Sequence, residues 1–193
     1  MVELPSKAAL IIVDVQKGFD DPKWGRRNNP QAESNIRKLL NTWRGSRMPV
    51  FYIQHCSQMA DSPLRPGTPG NEIKEIVAPS NGEPIVTKTV NSAFIGTDLE
   101  AQLKRDNIET LVVVGITTDH CVSTTARMAG NMGFEVYVVS DATATFDRAG
   151  PDGKLYKAEE IHAVNLASLH NEFATVVDTK NLLNSLRSMP ERQ

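Results

Sequence analysis

Three residues with complementary chemistry each follow an apolar segment of the sequence. Asp14 follows Ala-Ala-Leu-Ile-Ile-Val directly, Lys88 ends a short run that begins at Pro84, and Cys121 comes shortly after Leu-Val-Val-Val. A thiol becomes a strong nucleophile when its proton is removed and the resulting anion is stabilised. A carboxylate can accept that proton, and a lysine can stabilise the negative charges. These residue types predict nucleophilic catalysis by Cys121, with Asp14 as acid and base and Lys88 as the stabilising cation.

The apolar segments before these residues are predicted to be buried parallel strands, because most are apolar throughout rather than alternating. Segments with helical spacing of apolar residues lie between them. Strands are predicted at 8–13, 48–53, 84–87, 110–114, 134–139 and 174–177, and helices at 30–44, 97–106, 122–132, 155–171 and 179–186. This alternation predicts an α/β fold, a three-layer α/β/α sandwich with a six-stranded parallel, Rossmann-like sheet. Asp14, Lys88 and Cys121 then reach the same edge of that sheet.

Cys121 is expected where a strand passes into a helix. Backbone N–H groups and the positive end of the helix dipole are found there, and both stabilise a thiolate. If Cys121 attacks a carbonyl carbon, its own N–H and one from the loop 116–119 are suitable donors for the oxyanion, and a thioester results. The alternative is that Cys121 is a small buried apolar residue, as most free cysteines are.

Composition limits the classes of function. The 193 residues are 40% hydrophobic, which fits a single domain over 1–193, and the net charge of −2 predicts no binding to nucleic acid or to a membrane surface. No apolar run is long enough to span a bilayer, and the two cysteines, Cys56 and Cys121, allow no Cys-x-x-Cys zinc site. The absence of Gly-x-Gly-x-x-Gly and of a P-loop argues against nucleotide binding. We therefore expect a cytoplasmic protein that acts on a small molecule.

The sequence around the three residues reads Leu-Ile-Ile-Val-Asp-Val-Gln-Lys-Gly-Phe, Val-Thr-Lys-Thr-Val-Asn-Ser-Ala-Phe and Gly-Ile-Thr-Thr-Asp-His-Cys-Val. These motifs, in this order over nearly the whole chain, resemble the isochorismatase-like cysteine hydrolase superfamily, which includes nicotinamidases and N-carbamoylsarcosine amidohydrolases. The resemblance implies that Asp14, Lys88 and Cys121 are catalytic. It also implies a cis peptide bond between Ile116 and Thr117, an oxyanion hole formed by the N–H groups of Thr117 and Cys121, and a homo-oligomer, either a dimer or a tetramer.

Six residues near the predicted site are candidate substrate contacts: Phe19, Trp24, His55, Asn91, Ser92 and Phe94. Nicotinamidases of the superfamily hold a metal through an Asp-x-His pattern and a further histidine. Here the segment reads Gln-His-Cys-Ser, and no histidine occurs in the following loop. One histidine makes a weak ion site, so we expect neither a metal nor another cofactor. A substrate contact, an ion contact and a structural hydrogen bond all remain open for His55.

The favoured function is metal-independent hydrolysis of a small amide or ureide C–N bond through a thioester. Isochorismatase-type hydrolysis of a vinyl ether, which does not need the thiol, is the alternative within the fold. Other classes are a non-enzymatic small-molecule-binding protein and a redox protein that pairs Cys56 with Cys121. A nucleophile–base pair of Cys121 with His120 is disfavoured because adjacent side chains diverge. His162 and His170 are expected on helix surfaces, and the tail 187–193 is expected to be mobile.

Overall fold

The computed structural model describes residues 4–187, and its central feature is a sheet of six parallel strands. The strands are Ala9–Val13 (β1), Val50–His55 (β2), Ile85–Lys88 (β3), Thr110–Ile116 (β4), Glu135–Ala144 (β5) and Thr175–Val177 (β6). Their order across the sheet is β3-β2-β1-β4-β5-β6. The predicted fold class and all six predicted strands are confirmed. The tail predicted to be mobile lies outside the described residues, except for its first residue, which ends the last helix.

Five α-helices cover the sheet. They are Ala32–Gly45 (α1), Leu99–Arg105 (α2), Ser123–Asn131 (α3), Ala158–Leu169 (α4) and Thr179–Arg187 (α5). Alternate residues of β1 face opposite layers: Ile11 packs in the cluster with α2, α3 and α4, whereas Ile12 packs in the cluster with α1 and α5. The sheet is therefore buried on both faces, as its uninterrupted apolar strands require. Among residues 4–187, no helix is both long and apolar enough to cross a bilayer.

The segment before α4 differs from the prediction. A helix was expected from residue 155, but Leu155–Tyr156 pairs antiparallel with Arg148–Ala149, and the helix begins at Ala158. Gly150 and Gly153 close the turn between the two short strands, where Gly150 N–H donates to Lys154 O at 2.8 Å. The apolar character of Leu155 was consistent with either structure, and the glycine-containing turn decides between them.

Strands β1 and β4 approach each other closely at Gly115. This residue has a φ of 126°, and a Cβ atom placed on it would lie 2.0 Å from the carbonyl oxygen of Val13. Only glycine fits this position without displacing backbone. Val13 is the last residue of β1 and Ile116 the last of β4, so the close approach lies where both strands reach the site.

Candidate active site

The structure brings Asp14, Lys88 and Cys121 into contact at the carboxyl ends of β1, β3 and β4. The Nζ atom of Lys88 lies 2.7 Å from Oδ2 of Asp14 and 3.4 Å from Sγ of Cys121. The side chains of Asp14 and Lys88 are completely buried. A lysine ammonium thus lies between the acid and the thiol, which is the arrangement that the chemistry of the three residue types requires.

Two further acceptors surround the same ammonium group. Lys88 Nζ lies 3.1 Å from the carbonyl oxygen of Val90 and 3.2 Å from Nδ1 of His55. Burial lowers the pKa of His55, and the positive charge of Lys88 lowers it further, so the imidazole is neutral and Nδ1 accepts. Of the uses left open for His55, the structure shows a hydrogen bond to Lys88. Its contact with a substrate stays a prediction.

Asp14, His55 and Cys121 also resemble a metal-binding set, because their donor atoms all lie within 4.8 Å of one another. The ammonium group of Lys88, however, is within hydrogen-bonding distance of all three side chains. A metal ion at the centre of this set would have to displace that cation or share the space with it, at a high electrostatic cost. The prediction that no metal takes part therefore agrees with the charges of the cluster.

The protonation state of Cys121 differs from the sequence-based expectation of a stabilised thiolate. Burial raises the pKa of the thiol, and the negative charge of Asp14 raises it further, whereas Lys88 lowers it by a smaller amount. Burial also raises the pKa of Asp14, and Lys88 opposes that effect. The thiol therefore keeps its proton at rest, and a carboxylate oxygen of Asp14 lies within 4.8 Å of its Sγ, so the proton acceptor is already close to the nucleophile.

The backbone around Cys121 differs from the predicted start of an α-helix. The peptide bond between Ile116 and Thr117 is cis, at the position that the resemblance implies. Residues Thr118–Val122 form a π-helical turn, in which the N–H of Val122 donates to Thr117 O at 3.1 Å, and α3 begins only at Ser123. Cys121 thus lies in this turn rather than in the first turn of an α-helix. Such turns are frequent at functional sites.

Two polar atoms of the site have unused hydrogen-bonding capacity. Oδ1 of Asp14 and Oγ1 of Thr117 are buried and have no hydrogen-bond partner within residues 4–187. An unpaired buried polar atom costs about 1–3 kcal/mol, so such atoms are rare outside functional sites.

Asp119 anchors the π-helical turn to the chain that follows β5. Its carboxylate accepts hydrogen bonds from Arg148 Nε at 2.8 Å and from the hydroxyl of Thr145. The neighbouring His120 has a side chain that is 53% exposed and pairs with Asp119 at 3.5 Å. This exposed position does not place His120 as a base for the buried Cys121, as the sequence predicts.

We expect the contacts of Asp119 to make folding sensitive to acid. Burial would raise the pKa of Asp119, but the hydrogen bonds from Arg148 and Thr145 outweigh burial and lower the pKa to about 2. The pKa in the unfolded chain is about 4, so this stabilisation is complete above pH 4 and is lost as the pH falls towards 2. Urea unfolding at pH 6 and pH 2.5 should show a smaller loss of stability for Asp119→Asn than for the wild type. Equal losses would contradict the assignment.

His162 on α4 is closer to the site than the sequence suggests. It was expected on the helix surface, but it is half-buried, and its Nδ1 lies 2.9 Å from Oγ1 of Thr118. The pattern of α4 could not show this contact, because the helix carries apolar residues on several faces. His170 is exposed, as predicted, and its Nδ1 accepts a hydrogen bond from the N–H of Val176.

The aromatic candidates lie in one cluster. The ring centroids of Phe19 and Trp24 are 5.3 Å apart, and both rings also contact Phe146, which sequence reasoning missed. This cluster packs against Ile116, the first residue of the cis peptide bond. The aromatic rings therefore form one apolar side of the region around the site, although their contact with a substrate stays a prediction.

The three candidates after β3 have different environments. Ser92 is buried, and its hydroxyl donates to the sulfur of Met128 at 3.0 Å. Phe94 is buried against Phe134, with ring centroids 6.0 Å apart. Asn91 is exposed. Ser92 and Phe94 thus have packing roles that account for their burial, and a substrate-binding role for any of the three stays a prediction.

This chain is similar to known proteins over most of its length. The isochorismatase family protein YrdC of Bacillus subtilis is 54% identical over 181 residues, covering 94% of this chain and 97% of YrdC. Nicotinamidase 3 of Arabidopsis thaliana is 30% identical, covering 93% of this chain and 88% of that protein. A crystal structure of a putative hydrolase of the isochorismatase family from Chromobacterium violaceum has a TM-score of 0.94 and 41% identity, covering 97% of this chain and 98% of that one. The family described as "Isochorismatase domain" matches residues 8–181, and the chain belongs to this family of hydrolases.

Proposed function

We propose that this protein is a metal-independent cysteine hydrolase that cleaves a small amide or ureide C–N bond through a thioester on Cys121. The observation that carries the proposal is the position of Lys88 Nζ, 2.7 Å from the Asp14 carboxylate and 3.4 Å from the Cys121 sulfur. A non-catalytic binding protein gains no function from burying an acid, a lysine and a thiol in contact, because desolvation of the charges is costly.

In the proposed reaction, Asp14 removes the thiol proton as Cys121 Sγ attacks the carbonyl carbon of the substrate. The new C–S bond forms while the carbonyl π electrons move to oxygen, and the oxyanion accepts hydrogen bonds from the backbone N–H groups of Thr117 and Cys121. The C–N bond then breaks, and protonated Asp14 gives its proton to the leaving amine or ammonia. Water, deprotonated by Asp14, hydrolyses the thioester and restores the thiol.

Lys88 stabilises negative charge throughout this sequence. The proton moves between Sγ and the Asp14 carboxylate, so the negative charge changes place without leaving the neighbourhood of the ammonium group. This role explains why the thiol can keep its proton at rest and still react, because the thiolate is needed only while the substrate is attacked.

Two observations favour an amide over a vinyl ether. Vinyl-ether hydrolysis does not need a thiol, whereas Cys121 Sγ here lies 3.4 Å from Lys88 Nζ and within 4.8 Å of a carboxylate oxygen of Asp14. One relative over most of the chain is also a nicotinamidase by name, and nicotinamide is a primary amide.

The proposal is tested by incubating the protein with a panel of small amides, ureides and nicotinamide, without added metal and with EDTA present. Released ammonia and intact mass after a rapid acid quench are measured. We expect ammonia from at least one compound and an acyl adduct in the intact mass, which digestion and peptide mapping should place on the peptide that contains Cys121. Isochorismate is included in the same panel. Hydrolysis of isochorismate alone, with no adduct, would overturn the thioester mechanism.

A further inference from the structure

We propose that Gln16 is a positioning residue for the catalytic cluster: its side-chain amide fixes the end of β2, and through His55 it holds Lys88 against Asp14 and Cys121. Gln16 lies two residues after Asp14 and is completely buried. It is not expected to touch the substrate. The proposal rests on the proposed function only in taking Cys121 as the nucleophile.

Strands β1 and β2 do not end at the same level of the sheet. The last paired residues of these strands are Val13 and Ile53, because the chain leaves the ladder at Asp14, whose φ is 52°. Strand β2 continues to His55 and is still paired on its other side with β3, where His55 is opposite Lys88. On the β1 side, the backbone N–H and carbonyl of His55 therefore face no strand.

The side chain of Gln16 takes the place of the missing strand. Its Oε1 accepts from the N–H of His55 at 2.9 Å, and its Nε2 donates to the carbonyl of His55 at 3.0 Å. The second proton of Nε2 goes to the carbonyl of Asn71 at 2.8 Å. A primary amide has the same donor and acceptor groups as a peptide unit, so Gln16 extends the ladder by one pair.

The backbone of Gln16 is itself held firmly. The residues on either side pair with the loop that follows β2, through Lys17 N–H to Glu72 O and Lys74 N–H to Val15 O, both at 2.9 Å. Gln16 N–H also donates to the carbonyl of Asp14 at 2.8 Å. The acid and the amide are therefore parts of one rigid segment, and a shift of Gln16 relative to β2 would change the distance between Asp14 and Lys88.

The position of His55 fixes the position of Lys88 through two connections, one of the backbone and one of the side chains. The strands keep the two residues opposite each other, and the N–H of Cys56 donates to the carbonyl of Lys88 at 2.7 Å. The ring adds the contact between Nδ1 of His55 and Nζ of Lys88 at 3.2 Å. An ammonium group has three protons, and Asp14, Val90 and His55 are nearer acceptors than Cys121 Sγ. The orientation of the ammonium group towards the thiol thus depends on where His55 is held.

The experiment measures how fast iodoacetamide alkylates Cys121 between pH 6 and pH 10, with peptide-level mass spectrometry to separate Cys121 from Cys56. This readout needs no substrate, so it stays informative even if amide hydrolysis is not found. Lys88→Met serves as the reference, because removal of the nearby cation must slow thiolate formation. The charged and titratable groups near Cys121 include Asp14, Lys88 and His55, and Asp119 and His120 precede it in the π-helical turn.

We expect Gln16→Met to lower the alkylation rate at pH 8 about tenfold, in the same direction as Lys88→Met, which corresponds to a rise of about one unit in the pKa of the thiol. Gln54→Met is the matched control. Gln54 also donates to the carbonyl of Asn71, at 2.9 Å, but it does not bond to His55. This variant should keep the wild-type profile.

Gln16→Glu decides the result if Gln16→Met does not fold. It keeps the volume and the acceptor for the N–H of His55, but it places an oxygen where Nε2 now donates to two carbonyl groups. We expect a folded protein, by circular dichroism, with slower alkylation above pH 7. Wild-type alkylation profiles in folded Gln16→Met or Gln16→Glu would overturn the proposal, and so would an equal effect of Gln54→Met.

Discussion

Cys121→Ala is expected to abolish hydrolysis, with a loss of about 10⁴-fold or more, because no other group can form the thioester. Cys121→Ser should retain only a trace of activity, since the hydroxyl is far harder to deprotonate beside Asp14. Cys121→Ser is nearly isosteric, and Cys121→Ala removes one heavy atom, so the thermal unfolding transition should stay close to that of the wild type. Ammonia release from the amide found in the panel measures the loss.

Cys56→Ala is the matched control for this prediction. Cys56 is half-buried and is the other free thiol among the described residues. Its backbone N–H, which the substitution keeps, makes the bond to Lys88 O. The variant should therefore retain most of the activity. Loss of activity in Cys56→Ala but not in Cys121→Ala would reverse the assignment of the nucleophile.

Lys88→Met is expected to abolish activity and also to destabilise the fold by about 3–5 kcal/mol, because it leaves the buried carboxylate of Asp14 without its partner. The ion pair is fully buried at 2.7 Å, so solvent cannot replace the lost cation. Urea unfolding measures the stability, and ammonia release measures the activity.

The double variant Asp14→Asn with Lys88→Met separates the two effects. It removes both charges, and asparagine tolerates the positive φ of this position better than most residues do. We expect most of the lost stability to return while activity stays absent. If the double variant were as unstable as Lys88→Met alone, the charge of Asp14 would not be the cause of the destabilisation.

Much of the architecture could be predicted because it depends on local sequence patterns. Runs of β-branched residues predict buried strands, and the rule that parallel strands end at one edge placed Asp14 and Lys88 together. The contact between their side chains is the direct result of this rule. The strand ends were less certain, because backbone pairing continues past the apolar runs: β2 and β4 each extend two residues beyond the prediction, and β5 extends five.

The connections could not be predicted in the same way. The π-helical turn before α3 arises from two backbone bonds that reach five residues back, from Val122 N–H to Thr117 O and from Ser123 N–H to Thr118 O. The spacing of apolar residues in the sequence does not indicate whether an N–H bonds four or five residues back. The contact of His162 with Thr118 and the bonds of Gln16 to His55 join distant parts of the chain, and a single sequence gives no signal of which polar side chains will meet. The raised pKa of Cys121 likewise depends on burial, which the position before a helix did not reveal.

The close approach at Gly115 has a consequence for how the activity of this protein can change by mutation. Strand β1 ends just before Asp14, and β4 leads to Cys121. These two strands can lie this close together only because Gly115 has no Cβ atom, which would collide with the backbone of Val13. Any side chain there would push β1 and β4 apart and widen the gap between proton acceptor and thiol. Gly115 therefore constrains the distance between Asp14 and Cys121, although it takes no part in the chemistry. We expect no other residue to be tolerated at this position.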